Sequence, residues 1–204
     1  MTLQVGISVS DQVEVLDFAG PYEVFTTAAR LYARSQTQAV PLFEVFTLGQ
    51  TRTPLRARAG LSIHPEYDFT QHPAIDVLII PGGVVSAELA KPAVIEWIKE
   101  AYTHSTLTAS VCTGAFLLAQ AGLLDQQRAT THWEDIDDFV ALFPSVQVQT
   151  QVRWVDAGKI VSSTGISAGI DMSLHLVARL AGRDLALRTA QQMDFDWTEN
   201  QALP

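Results

Sequence analysis

A short run with β-strand character, Leu107 to Val111, ends at the chain's only cysteine, Cys112, and is followed at once by Thr113, Gly114 and an Ala/Leu-rich helical pattern. Strand, sharp turn and helix in that order leave few choices of fold, because such a turn forms where a buried strand hands over to the helix that covers it. The side chain at the turn stands at the carboxyl end of the strand, where the N–H groups of the next helix converge. Here it is a thiol. A helix N-terminus favours negative charge, so the arrangement predicts a Cys112 pKa below the free value of about 8.5 and a raised thiolate fraction. A lone cysteine ordinarily packs as a small hydrophobe. Its place at the turn makes Cys112 a candidate nucleophile instead.

The remainder of the chain alternates strand and helix patterns. Residues 3–9 and 43–48 read as strands, and 55–59 with 61–63 as a small surface hairpin or two edge segments around Gly60. Residues 75–80 read as a buried parallel strand that stops at Pro81, Gly82 and Gly83, glycines whose N–H groups can face a bound oxyanion. Residues 22–34 read as a helix with Pro21 near its first turn, which puts Asp17 in the loop or first turn after strand one. Residues 87–101 read as one crossover helix, 113–121 as a helix closed by Gly122, and 134–142 as a helix ended by Pro144. Strict alternation over 146–155 predicts one strand that returns through a turn at 156–159 along 160–163. Gly165, Ile166 and Ser167 then open a long apolar helix to Leu180, stopped by Gly182, and a last helix over 184–193 leads to a polar tail.

This order describes a doubly wound α/β protein with a mostly parallel sheet and helices on both faces, in one domain over residues 1–204. In such folds functional groups gather where strands end. That rule brings Asp17, Gly82, Gly83, Cys112 and the 165–167 turn toward one place.

Composition narrows the partners. The formal charge is −9, and the one basic cluster, Arg52, Arg56 and Arg58, carries no aromatic stacking pattern, so no nucleic-acid partner is expected. The first ten residues hold no basic leader, and no stretch approaches the roughly 18 apolar residues of a membrane span, so no membrane partner is expected. One cysteine leaves no intrachain disulfide, which fits a reducing cytoplasm. No His/Glu or Cys cluster stands at metal-ligand spacing, so neither a metal nor another cofactor is expected.

Five stretches, in order, carry a resemblance: Leu16-Asp17-Phe18-Ala19-Gly20-Pro21; Ile80-Pro81-Gly82-Gly83; Ser110-Val111-Cys112-Thr113-Gly114; Gly122-Leu123-Leu124 with Ala129-Thr130-Thr131-His132-Trp133; and Thr164-Gly165-Ile166-Ser167-Ala168-Gly169-Ile170-Asp171. Together they resemble the DJ-1/PfpI superfamily and, within it, most of all the isonitrile hydratase group. The same motifs occur in the amidase-like domain of AraC-type regulators. The resemblance implies a flavodoxin-like sheet of the class I glutamine amidotransferase type, a homodimer and a small-molecule substrate. It implies Cys112 as nucleophile, Asp17 as acid/base, and Thr113 contributing its backbone N–H and hydroxyl. Gly82 and Gly83 would face the nucleophile, and Ile166 would belong to a helix that flanks the site.

Thr113 stands where protease-like and deglycase-like members carry His, which disfavours peptidase activity. His132, beside Trp133, reads as a packed, hydrogen-bonded residue. The sequence ends soon after Met193, so no helix-turn-helix domain of the regulator type is expected. The arm over 40–67 matches the hydratases least well. The expected reaction is addition of water to an isonitrile through a thioimidate on Cys112, giving an N-substituted formamide. Two alternatives keep the cysteine: hydrolysis or rearrangement of an amide or reactive carbonyl, and a non-enzymatic oxidation sensor whose sulfinate is held by protonated Asp17.

Overall fold

The structure is a computed structural model that describes residues 2–34 and 40–200. Strand β1 (Leu3–Ser8) leads to helix α1 (Val15–Arg34), and β2 (Phe43–Gly49) follows. The two-residue strands β3 (Leu55–Arg56) and β4 (Ser62–Ile63) form the expected small antiparallel pair, and β5 (Tyr67–Asp68) joins the main sheet. Then come β6 (Val77–Ile80), α2 (Ser86–Leu89), α3 (Pro92–His104), β7 (Leu107–Val111), α4 (Gly114–Gln120), β8 (Arg128–Ala129), α5 (Ile136–Leu142) and β9 (Gln147–Val148). The chain closes with β10 (Trp154–Asp156), β11 (Ile160–Ser163), α6 (Ala168–Ala181) and α7 (Arg183–Gln192). Residues 201–204, the end of the polar tail, lie outside the described residues.

The main sheet has seven strands in the order β10-β11-β7-β6-β1-β2-β5. Every neighbouring pair is parallel except β10–β11. From β1 the chain crosses to β2 on one side, and later strands add beyond β6 on the other, so the direction of winding reverses between β1 and β6. This is the flavodoxin-like arrangement, and the crevice at the carboxyl ends of those strands is where such folds place ligands.

Both faces of the sheet are covered. Ile79 and Val77 point into a core shared with Phe25 of α1, Met172 and Leu176 of α6 and Leu185 of α7. Leu78 and Ile80, next along the same strand, point into a second core with Ile98 of α3, Leu118 of α4 and Phe139 of α5. Burial on both faces is why β6 reads as a continuous apolar run rather than an alternating one. The small residues Ala115, Ala119 and Ala121 are buried within this second core, so packing inside the chain accounts for them.

Three elements differ from the sequence reading. The alternating stretch 146–155 is two strands: β9 pairs with β8 in a separate two-stranded sheet, and β10 enters the main sheet after Gln151 turns with φ 60°. Alternation records which face each residue shows, not which strand it pairs with. The stretch 87–101 is two helices, because Lys91 before Pro92 is extended at φ −100°, ψ 102°, as the proline ring demands of its predecessor. Helix α1 begins at Val15 rather than Tyr22, so Pro21 lies inside it and leaves the Asp17 carbonyl without its usual helical donor. Among the described residues, no helix is long and apolar enough to cross a membrane.

Candidate active site

The buried strand β7 ends at Val111, and Cys112 follows with φ 57°. Left-handed backbone is uncommon for a residue with a Cβ, so its surroundings must hold it. The Cys112 N–H donates to the Ser163 carbonyl at 3.1 Å, and its own carbonyl accepts from the Thr131 hydroxyl at 3.0 Å. The backbone of Gly165 lies directly on the thiol: a methyl there would sit 2.5 Å from the Cys112 Cβ and 3.0 Å from Sγ. The elbow expected from the sequence is present.

Asp17, in the first turn of α1, is fully buried beside this thiol. Its Oδ2 accepts a hydrogen bond from the Gly82 N–H at 3.1 Å, while Oδ1 is buried with no hydrogen-bond partner among the described residues. Burial pushes the carboxyl pKa up to about 7, and Glu14 adds to the push. The Gly82 N–H, the Cys112 thiol and Arg58 oppose it.

The thiol shifts the opposite way from the sequence expectation. Burial pushes Cys112 up to about 12, and the Asp17 carboxylate beside it adds to the rise. The Thr113 N–H and hydroxyl pull downward, as a helix terminus should, but they do not outweigh desolvation. Cys112 and Asp17 therefore hold two protons together below about pH 7 and one between about 7 and 12. In that window a proton passed from sulfur to carboxyl turns a thiol beside a carboxylate into a thiolate beside an acid.

An ionised Asp17 works against folding. The folded pKa of about 7 lies above the ordinary 3.8, so the native state holds this proton more tightly than the unfolded chain. Stability then falls as pH rises from about 4 to about 7, and the full penalty, a few kcal/mol, is present above that. Asp17→Asn keeps the shape without the charge. Its melting temperature is expected to exceed that of the natural chain by several degrees at pH 8, with the gap closing toward pH 4; a gap that does not change with pH would contradict this.

Gly82 and Gly83 do not offer their N–H groups to a ligand. The Gly82 N–H is held by Asp17, and the Gly83 N–H donates to Thr113 Oγ1 at 2.8 Å while the Thr113 hydroxyl donates back to the Gly83 carbonyl at 2.8 Å. The expected oxyanion role is therefore corrected: the loop is clamped against the elbow. Clamping needs glycine. A methyl at Gly82 would stand 2.4 Å from Thr113 Oγ1, and at Gly83, with φ +127°, 2.2 Å from the Gln12 carbonyl. Gly83→Ala is expected to lose about 3 kcal/mol or more in urea unfolding; a loss under about 1 kcal/mol would show that the loop moves aside.

Above the thiol lies an open cavity of about 550 Å³ whose wall includes Gly83, Cys112, Thr113, Phe116, His132 and Ile166. Ile166 lies in this wall, in the turn before α6 rather than on the helix. His132 is packed as expected, its side chain 16% exposed, its ring 5.7 Å from that of Trp133 and its Nδ1 3.2 Å from Asp135 Oδ2, and it also lines the cavity. The one sequence signal for this was a carboxylate three residues after the His, at the end of the short helical turn over 133–135. Phe116, Val84 and Leu142 are cavity residues that no motif marked. Among the described residues, no group of three or more His, Cys, Asp or Glu side chains could hold a metal ion.

A flavodoxin-like sheet with a cysteine elbow at the end of a central strand, backed by a buried acid, defines a recognisable class of α/β protein. The chain belongs to the DJ-1/PfpI family, whose pattern matches residues 4–179. It is 31% identical over 196 residues to the isonitrile hydratase of Pseudomonas putida, covering 96% of this chain and 79% of that one. It is also 29% identical to the HTH-type transcriptional regulator CdhR of Pseudomonas aeruginosa over 87% of this chain, and spans about half (51%) of that regulator's length. Among solved structures, a ThiJ/PfpI family protein from Pseudomonas syringae superposes with a TM-score of 0.83 at 25% identity, over 98% of this chain and 77% of that one. Drosophila melanogaster DJ-1beta superposes at 0.82 with 17% identity, over 97% of this chain and 100% of that one, a likeness of fold.

Proposed function

We propose that the chain is a cytoplasmic, homodimeric enzyme built as one DJ-1/PfpI domain, and that it adds water to isonitriles to give N-substituted formamides. The observation that carries this reading is the buried pair of Cys112 and Asp17, a nucleophile and a proton carrier with one unpartnered oxygen, beside an open cavity. Similarity to the Pseudomonas putida hydratase along nearly the whole chain supports the choice of substrate.

In this scheme the sulfur of Cys112 attacks the terminal isonitrile carbon. The thiol proton passes to Asp17 and from Asp17 to that same carbon, so S–H adds across it and leaves a thioimidate, S–CH=N–R. Water then attacks the thioimidate carbon, and Asp17 carries a proton from the water to nitrogen. The tetrahedral intermediate collapses, the C–S bond breaks, and the remaining hydroxyl proton returns through Asp17 to sulfur. The products are the formamide and the original thiol. Thr113 directs its N–H toward the sulfur and fixes the Gly82–Gly83 loop, Gly82 orients Asp17, and Ile166 flanks the substrate.

The test is chromatographic detection of N-arylformamide from an aryl isonitrile, at a rate proportional to enzyme. Absence of product would sink the hydratase reading. The His132–Asp135 pair in the cavity wall favours a second one, in which His132 serves Cys112 in hydrolysing an amide or other small acyl compound. An ester or amide panel separates the two, and a stable sulfinate on Cys112 after mild peroxide without any turnover would point to sensing.

A further inference from the structure

We infer that the Cys112 cavity admits neutral and cationic electrophiles with an apolar body and rejects anionic ones, and that Glu134 and Asp138 set this preference. The inference names the substrate class for the site proposed above and, for isonitriles, rests on that reading. The cavity is a site on independent grounds, having in its wall the thiol of Cys112, against which the fully buried Asp17 carboxyl lies.

The rim carries four carboxylates against one guanidinium. Arg58 is taken by Glu14 at 3.2 Å, and Asp135 is engaged by His132 at 3.2 Å. Glu134 is only loosely placed, 3.9 Å from His132 Nδ1 with its side chain 65% exposed. Asp138 is exposed and belongs to no ion pair among the described residues. Two carboxylates with little or no compensation thus face whatever enters, and the chain's overall charge of −9 acts in the same direction. Between these charges the wall is apolar: Val84, Leu142 and Ile166 are 48%, 62% and 38% exposed at the mouth. Covering them favours an aryl or alkyl body. An entering anion is repelled at ranges where charges are only partly screened, so the effect should appear in kcat/KM and shrink with salt.

Two readouts test this, one of them free of hydratase chemistry. Aryl isonitriles sharing one body and bearing methyl, aminomethyl or carboxylate substituents are compared by kcat/KM at pH 7.5. The ammonium compound is expected to exceed the carboxylate by roughly 10- to 100-fold at low ionic strength, with less difference in 0.5 M salt. Because Cys112 is the only cysteine, iodoacetamide and iodoacetate report on the same cavity. Their rate ratio is expected to be about tenfold larger than with a free thiol. In the Glu134→Lys/Asp138→Lys variant both preferences should collapse or invert, and Glu134→Gln/Asp138→Asn should fall between; ratios are used so that a general loss of reactivity cancels. An alkylation ratio equal to that of a free thiol, or preferences unmoved by the charge swap, would overturn the inference. Discrimination in alkylation without turnover of any isonitrile would uphold it while ending the hydratase reading.

Discussion

Cys112→Ala is expected to convert an aryl isonitrile at least about 10⁴-fold more slowly than the natural chain, because the whole scheme passes through a bond to that sulfur. The protein should remain folded. Alanine leaves the backbone hydrogen bonds to Ser163 and Thr131 untouched and removes only one buried sulfur, a change on the order of 1 kcal/mol. A melting curve close to that of the natural chain, beside a lost turnover, separates chemistry from folding. Cys112→Ser is the sharper control, since it keeps the polar atom and nearly the shape, yet a serine hydroxyl has no comparable acidity or nucleophilicity in a site without an adjacent strong base. Turnover by Cys112→Ala within tenfold of the natural rate would rule out covalent catalysis at this position.

Asp17→Asn should lose about 10³-fold in kcat/KM, within the range removed with a general acid/base group. The amide fills the same space and can still accept from the Gly82 N–H, so the loop and the thiol stay in place. What it cannot do is carry a proton from sulfur to carbon. The pH profile shows this separately from any loss of geometry. In the natural chain the reactive form has one proton fewer than the fully protonated pair, so kcat/KM should rise through about pH 7 and then level off. Asp17→Asn should lack that limb while its residual rate follows the thiol alone. The same substitution is expected to raise stability at pH 8, and gain in stability with loss of activity is the pattern of a carboxyl kept buried for chemistry. Retention of the limb at pH 7 in Asp17→Asn would assign it to another group.

Much of the architecture was legible because the residues that make it act locally. Unbroken apolarity over 77–80 and the thiol set between a strand and a glycine mark the crevice from local pattern alone. Prolines misled twice in opposite ways: Pro92 divided a helix read as continuous, and Pro21 was carried inside a helix read as beginning after it. Both outcomes depend on what packs around the ring, which local pattern does not record. The site was legible as a set of residues and not as a set of energies. A helix terminus argued for an acidic thiol, but burial of Cys112 and the neighbouring Asp17 carboxylate reversed the direction. That burial is tertiary: Cys112 sits in the core shared by β7, α1 and α6, and Gly165, 53 residues on, packs against it. His132 was legible as a packed residue, and its ring does lie 5.7 Å from that of Trp133, but its place in the cavity wall depends on how the chain turns there, which local pattern does not record.

The most direct test of the central claim is intact-mass measurement of the natural chain after rapid acid quench with an aryl isonitrile, at times spanning a single turnover, with the modified peptide mapped. A transient mass increase equal to one isonitrile is expected on the peptide that contains Cys112, decaying as formamide appears. Formamide accumulating while Cys112 remains unmodified at every quench time, or an adduct carried by any other residue, would contradict it.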